Sequence, residues 1–118
     1  VIDAGYAVSP DGMKAQIESG IIYGLSAALF GEISIKDGAV VESNFHDYQS
    51  VRMSDAPAIE TYIINSGADW GGAGEPGTPP VASALTNAIF DAIGKRIRQL
   101  PIKNVDLQAA VKSSAAVS

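Results

Sequence analysis

The chain has 118 residues, 47% of them apolar and 18% charged, with 12 Gly and 6 Pro. That profile is globular rather than disordered, and it bounds the chain to one domain or one piece of a larger one. Eight basic against thirteen acidic residues leave a net charge of −5, which gives a nucleic-acid backbone no electrostatic grip. Cysteine is absent, so disulfides, iron–sulfur ligation and thiolate zinc sites are excluded for this chain.

The apolar set contains 18 Ala, 13 Ile, 9 Val and only 5 Leu. Alanine permits close packing but buries little area per residue, so the core is expected to be modest unless the chain packs on a partner or self-associates when isolated. The longest uncharged apolar stretch, Ser19 to Gly31, falls short of the roughly 20 residues a membrane span requires. Signal-peptide features are not visible. The chain opens without Met on Val1-Ile2-Asp3-Ala4-Gly5, which reads as a short strand already under way and leads to the expectation of a fragment or processed subunit.

In chain order, Ser9-Pro10-Asp11-Gly12 is turn chemistry, with Ser9 or Asp11 able to cap a following helix. Met13, Ile17, Ile21, Leu25 and Leu29 then recur every four residues and predict one helical face. Gly20, Gly24 and Ala28 form a second, small-residue stripe on that helix, which Gly31 ends. Because glycine costs roughly 1 kcal/mol in a helix interior, two of them one turn apart call for the close approach of another backbone or a ligand. Glu32 to Glu42, turning at Asp37-Gly38, signals a hairpin. Ile59 to Ile64 predicts a strand, and the Ile63-Ile64 pair suggests burial on both faces.

Ser66 to Pro80 holds five Gly and three Pro and is the main loop. A second helix follows, with Pro79 or Pro80 in its first turn, a stripe of Val81, Leu85, Ala88, Ile89, Ala92 and Ile93, and Gly94 at its end. Lys95, Arg96 and Arg98 suit the negative pole of its dipole. Leu100-Pro101-Ile102 reads as extended, Val105 to Lys112 as a short helix, and Ser113 to Ser118 as a frayed tail. Helices and strands do not alternate as βαβ units, so the class is α+β: two main helices packed on a small mixed or antiparallel sheet. The domain is placed at residues 1–104, with the short helix and tail at 105–118.

Gly72-Ala73-Gly74-Glu75-Pro76-Gly77 matches G-x-G-x-x-G between a strand and a helix. A dinucleotide loop starts its helix within the glycines, however, and Pro76, Pro79 and Pro80 delay the helix here and remove its donors. Glu75, between Gly74 and Pro76, can be a helix cap, a solvated charge or a poised base. His46 is the only histidine; it supports neither a triad nor a multi-His metal site, and a surface role is expected. Tyr48 and Arg52 read as a packed aromatic and a loop-anchoring guanidinium, and Trp70 as an anchor of its loop.

Three sets of residues, in order and spanning about Ile2 to Ile102, resemble a known family. They are Asp3-Ala4-Gly5 with Pro10-Asp11-Gly12, Gln16-Ile17-Glu18 and Gly24-Leu25-Ser26-Ala27-Ala28-Leu29; Asn44-Phe45-His46-Asp47-Tyr48 with Arg52-Met53; and Gly74-Glu75-Pro76-Gly77-Thr78-Pro79-Pro80 with Asn87-Ala88-Ile89 and Gly94 to Ile102. The chain resembles the C-terminal end of the molybdenum-binding subunit of the xanthine dehydrogenase and aldehyde oxidase family, with the closest likeness to its isoquinoline 1-oxidoreductase branch. Ala15 and Ser19 stand where the family commonly has glycines.

The resemblance implies the C-terminal part of a molybdopterin-binding domain and hydroxylation by water of an aldehyde or N-heteroaromatic carbon. It implies Glu75 as general base, and Gln16 with the backbone at Gly74 as contacts to the pterin; no metal ligand falls on this chain. The molybdopterin would be shared with segments upstream, and the iron–sulfur clusters would sit on a partner subunit. By the same implication the isolated chain is inactive, and relatives occur in bacterial cytoplasm and periplasm. The alternative is a module of the same fold with an interaction or structural role only.

Overall fold

The computed structural model describes residues 1–108. Two compact units are present: Val1–Leu25 with Val51–Val81, and Ser26–Ser50 with the described residues from Ala82 onward. The expected α+β class holds, with two helices and one two-stranded antiparallel sheet. The helix expected over Val105 to Lys112 and the tail beyond it lie largely outside the described residues.

Helix α1 runs from Pro10 to Leu29. Ser9 starts it: its hydroxyl accepts from the Gly12 amide at 3.3 Å and its carbonyl from the Met13 amide at 2.9 Å. Pro10 occupies the first helical position, where its missing donor costs nothing. At the other end the Phe30 and Gly31 amides fold back onto the Ser26 carbonyl, each at 3.0 Å. The large apolar stripe of Met13, Ile17, Ile21, Leu25 and Leu29 is only half-buried, whereas Gly20, Gly24 and Ala28 are buried. Small residues thus face the interior because something approaches too closely to leave room for large ones.

What approaches is the stretch that leads into helix α2, Val81–Ile93. A Cβ on Gly24 would lie 2.8 Å from the Val81 Cβ and 2.9 Å from the Thr78 carbonyl oxygen. A Cβ on Gly20 would lie 3.3 Å from the Thr78 hydroxyl. The glycine stripe is therefore a docking face for backbone, as its cost in helix propensity had implied. Helix α2 ends where Gly94 turns into the left-handed region at φ 70°, with its amide 2.7 Å from the Phe90 carbonyl. Of the expected α2 stripe, Val81 is buried, Leu85, Ile89 and Ile93 are half-buried, and Ala88 and Ala92 are exposed.

The basic residues after α2 are not in its last turn. Arg96 instead lies over the Phe90 ring, 3.5 Å from its centroid, and donates to Asn87 Oδ1 at 3.2 Å. Lys95 donates to the Asp106 carbonyl, and Lys103 pairs with Glu32 at 3.2 Å. Local partners, rather than the helix dipole, take these charges. Pro101 is extended as expected, and Ile102–Asn104 forms a short 3₁₀ turn.

Strands β1, Ile35–Lys36, and β2, Ala39–Val40, pair with Ile35 opposite Val40. Asp37 and Gly38 both have positive φ, 51° and 79°, the two-residue turn that Asp-Gly favours. All four strand residues are exposed. Further on, Asp47 accepts from the Ser43 amide and hydroxyl and from the Asn44 amide, at 2.8 to 2.9 Å. Those bonds hold its carboxyl far below the usual carboxylate range.

Two expected strands form no ladder. In Ile59 to Ile64, Ile59, Thr61 and Ile63 are half-buried while Glu60, Tyr62 and Ile64 are exposed. Burial on both faces is therefore corrected to burial on one, because alternate residues of such a stretch point to opposite sides. Val1 to Gly5 is instead laced to the loop stretch by single bonds. Asp3 accepts from the Ser66 hydroxyl at 2.6 Å and the Gly5 amide at 3.0 Å, Gly5 accepts from the Ser66 amide at 3.1 Å, and Ala4 from the Gly71 amide at 3.2 Å. Gly5, at φ 74°, has the Asp69 carbonyl oxygen only 2.5 Å from its Cβ position, so no other residue fits there.

Among the described residues the buried apolar ones are Ala4, Ala7, Ala28, Val81 and Ile102, three of the five being alanine. No large side chain is fully buried among the described residues, and no helix there is long and apolar enough to cross a membrane.

These contacts set two expectations for stability. Gly24→Ala gains about 1 kcal/mol of helix propensity but overpacks against Val81 and Thr78, at about 1–3 kcal/mol. Its thermal midpoint should fall, while Gly20→Ala, with the Thr78 hydroxyl at 3.3 Å and the Gly77 backbone no nearer than 3.4 Å, should lose less; equal midpoints would disprove the docking face. The Ser66 hydroxyl and then the Gly5 amide lower the pKa of Asp3 from its ordinary value near 3.8. Its contribution is therefore present above about pH 4 and lost as pH falls through the lowered native value. Protection against hydrogen exchange at the Gly5 and Ser66 amides, relative to the intrinsic rate at each pH, should fall on acidification, and Asp3→Ala should remove that acid dependence.

Candidate functional site

The loop between Gly71 and Val81 is held at both ends. At its entry the Gly71 amide is bonded to Ala4. At its exit Glu75-Pro76-Gly77-Thr78 makes a tight turn, with the Thr78 amide donating to the Glu75 carbonyl at 2.9 Å. Pro76 takes the second position of that turn, where its fixed φ is favourable. Gly77 is not among the positive-φ residues, so it is required for room rather than conformation: a Cβ there would sit 3.2 Å from the Ile17 carbonyl oxygen. The Thr78 hydroxyl donates to the Gly20 carbonyl at 3.1 Å, fastening the turn to α1.

This fastening brings together residues far apart in sequence. Gln16 lies one helical turn before Gly20 on the same face of α1. Its Oε1 is 3.5 Å from where a Cβ on Gly74 would be. Gln16, Gly74 and Glu75 are all exposed, so the carboxamide lies beside the Gly74 backbone, with Glu75 the next residue along the loop. A Cβ on Gly72 would meet nothing within 4 Å, so the backbone there is open as well. A carboxamide offers two donors and an acceptor, and an unobstructed glycine backbone adds more; together they can grip a planar, hydrogen-bonding ligand.

Of the three readings of Glu75, the cap is closed. Helix α2 begins at Val81, and a capping side chain reaches only the amides two or three residues on. Among the described residues no donor pairs with its carboxylate. The dinucleotide reading of the glycines is closed for the same reason, since α2 starts four residues beyond Gly77.

The other candidates each have a local setting of their own. The His46 side chain is 77% exposed with Asp47 at 3.7 Å, a surface position as expected. Tyr48 is exposed rather than packed, and Arg52 is exposed, its amide held by Asp55 at 3.2 Å. Trp70 is exposed and stacks on Tyr6 with ring centroids 6.3 Å apart. Thr78 is the residue that sequence reasoning missed. Its signal was the demand of Gly20 and Gly24 for an approaching backbone, which left the partner unnamed.

A family model described as a molybdopterin cofactor-binding domain matches residues 1–57, a span that includes Gln16. A membrane-bound aldehyde dehydrogenase (pyrroloquinoline-quinone) of Gluconacetobacter polyoxogenes is 40% identical over 91% of this chain and 14% of its own length. The isoquinoline 1-oxidoreductase subunit beta of Brevundimonas diminuta is 37% identical over 86% of this chain and 13% of its own. A xanthine dehydrogenase molybdenum-binding subunit of Escherichia coli is 34% identical over 86% and 14%. A crystal structure of a copper- and molybdenum-containing carbon monoxide dehydrogenase shares the fold, with a TM-score of 0.72 and 21% identity over 96% of this chain and 15% of that one. The chain thus spans about one seventh of the length of these relatives. Likeness through nearly all its residues, with the cofactor-domain match over its first 57, means that the chain matches one segment of the molybdenum-binding subunits of the xanthine dehydrogenase and aldehyde oxidase family.

Proposed function

We propose that this chain forms part of the cofactor cradle of a molybdenum hydroxylase that oxidises an aldehyde or N-heteroaromatic carbon with water as the oxygen source. The observation that carries the reading is the seating of the Gly74-Glu75 loop beside Gln16 by the glycine face of α1. The residues present suit a pterin, whose edge alternates hydrogen-bond donors and acceptors. The Gln16 carboxamide can meet both kinds, and Gly72 and Gly74, without side chains, leave backbone accessible to the ring. When bound, the molybdenum cofactor supplies the two-electron acceptor, and the electrons leave through iron–sulfur clusters on a partner subunit.

In this reading Gln16 and the Gly74 backbone orient the pterin. The Glu75 carboxylate takes a proton from the water-derived oxygen as that oxygen attacks the substrate carbon. Its backbone is fixed by Pro76 and by the turn to Thr78, so the point from which the carboxylate swings is set before substrate arrives. The rest of the molybdenum subunit covers the exposed loop and excludes bulk water. The isolated chain, with the cradle incomplete, is inactive.

In the assembled enzyme Glu75→Gln keeps the shape and removes the base. Turnover should fall by roughly 10²–10⁴ with molybdenum content unchanged; turnover within a few-fold of wild type would sink the assignment. Gln16→Ala should lower molybdenum and pterin content per subunit while the assembly keeps its size in gel filtration. Normal cofactor content in that variant would refute the pterin contact.

A further inference from the structure

We infer that Thr78 is a positioning residue for Glu75: its hydroxyl, bonded to the Gly20 carbonyl of α1, fixes the carboxylate relative to Gln16. This rests on the reading of Glu75 as the base. The bond depends on a local peculiarity of α1. In a helix each carbonyl already accepts from the amide four residues on, and side chains around it usually shield its second lone pair. At Gly20 the residue itself and the one a turn later, Gly24, both lack side chains, so the oxygen lies open to a second donor. Thr78 supplies it at 3.1 Å, half-buried.

The same residue makes three connections at once. Its amide closes the Glu75 turn at 2.9 Å, its carbonyl accepts from the Val81 amide at 3.3 Å as α2 begins, and its hydroxyl reaches α1. The two backbone bonds belong to the chain whatever the side chain is. The hydroxyl adds to the close steric contacts a hydrogen bond that ties the unit to the helix carrying Gln16. Without it, the turn still forms and still rests against the glycine face, but it loses the directional bond that sets its place along α1. A shift of about 1 Å is enough to cost a reaction as much as a hundredfold.

The test uses the assembled enzyme with Thr78→Val, which keeps the shape and removes the hydroxyl, and Thr78→Ser, which keeps the hydroxyl. Thr78→Val should lower kcat by about tenfold to a hundredfold, with KM and molybdenum content unchanged. Thr78→Ser should restore kcat to near wild type. Hydrogen exchange of the segment around Glu75 should quicken by about tenfold in Thr78→Val, the equivalent of one ordinary hydrogen bond, with α1 unchanged. In a Glu75→Gln background, Thr78→Val should cost nothing further in turnover. If Glu75→Gln collapses turnover but Thr78→Val does not, positioning by Thr78 is overturned while the base assignment stands; if Glu75→Gln is active, the base assignment itself fails. Loss of assembly in Thr78→Val, with Thr78→Ser normal, would make the hydroxyl a folding contact only and overturn the proposal as well.

Discussion

The close approach of backbone to the glycine face of α1 is the constraint on which the rest of the first unit depends. Gly20 and Gly24 give up roughly 1 kcal/mol each in helix propensity, and in return the Gly77–Val81 stretch seats with atoms where side chains would otherwise be. Contact at that distance is short-ranged and steric, so it defines position far more sharply than a cushion of Leu or Ile would. It also explains why the large apolar residues of α1 are only half-buried. They flank the contact and do not make it.

A loop held this way behaves differently from an ordinary glycine-rich loop. Glycine lowers the barrier to other conformations, yet this loop is bonded to Ala4 at its entry and to Gly20 at its exit. The glycines between those anchors are left to provide access, not mobility. Gly74 beside Gln16 and Gly72 facing open space present backbone to a ligand, while Pro76 stiffens the one position that carries a carboxylate. Rigidity at the ends with bareness in the middle suits a surface that must hold a planar cofactor edge and a base in register.

The exposed residues have a matching physical meaning. Tyr62, Ile64, Trp70 and Met53 are all more than three-quarters exposed, and the hairpin shows both faces to solvent. Such surfaces are expected of a segment whose relatives are about seven times longer and whose buried residues are mostly alanine and glycine.

Local chemistry was legible in the sequence. The Ser9-Pro10 helix start, the Asp37-Gly38 turn and the Gly94 stop each depend on the φ or hydrogen-bonding limits of one or two residues, and they appear where those residues stand. The glycine stripe was legible too, as a cost that needed a partner. The family was legible because its motifs are contiguous runs of residues. What the sequence left open were the long-range pairings. It could not show that Thr78 is what meets Gly20, nor that Gln16 lies beside Gly74 some sixty residues on. Nor could it show that Ile64 faces outward and that Val1 to Gly5 is laced rather than paired. Those outcomes depend on which distant surfaces meet. Periodicity tells which residues of an element share a face, but only the tertiary structure decides what that face is pressed against.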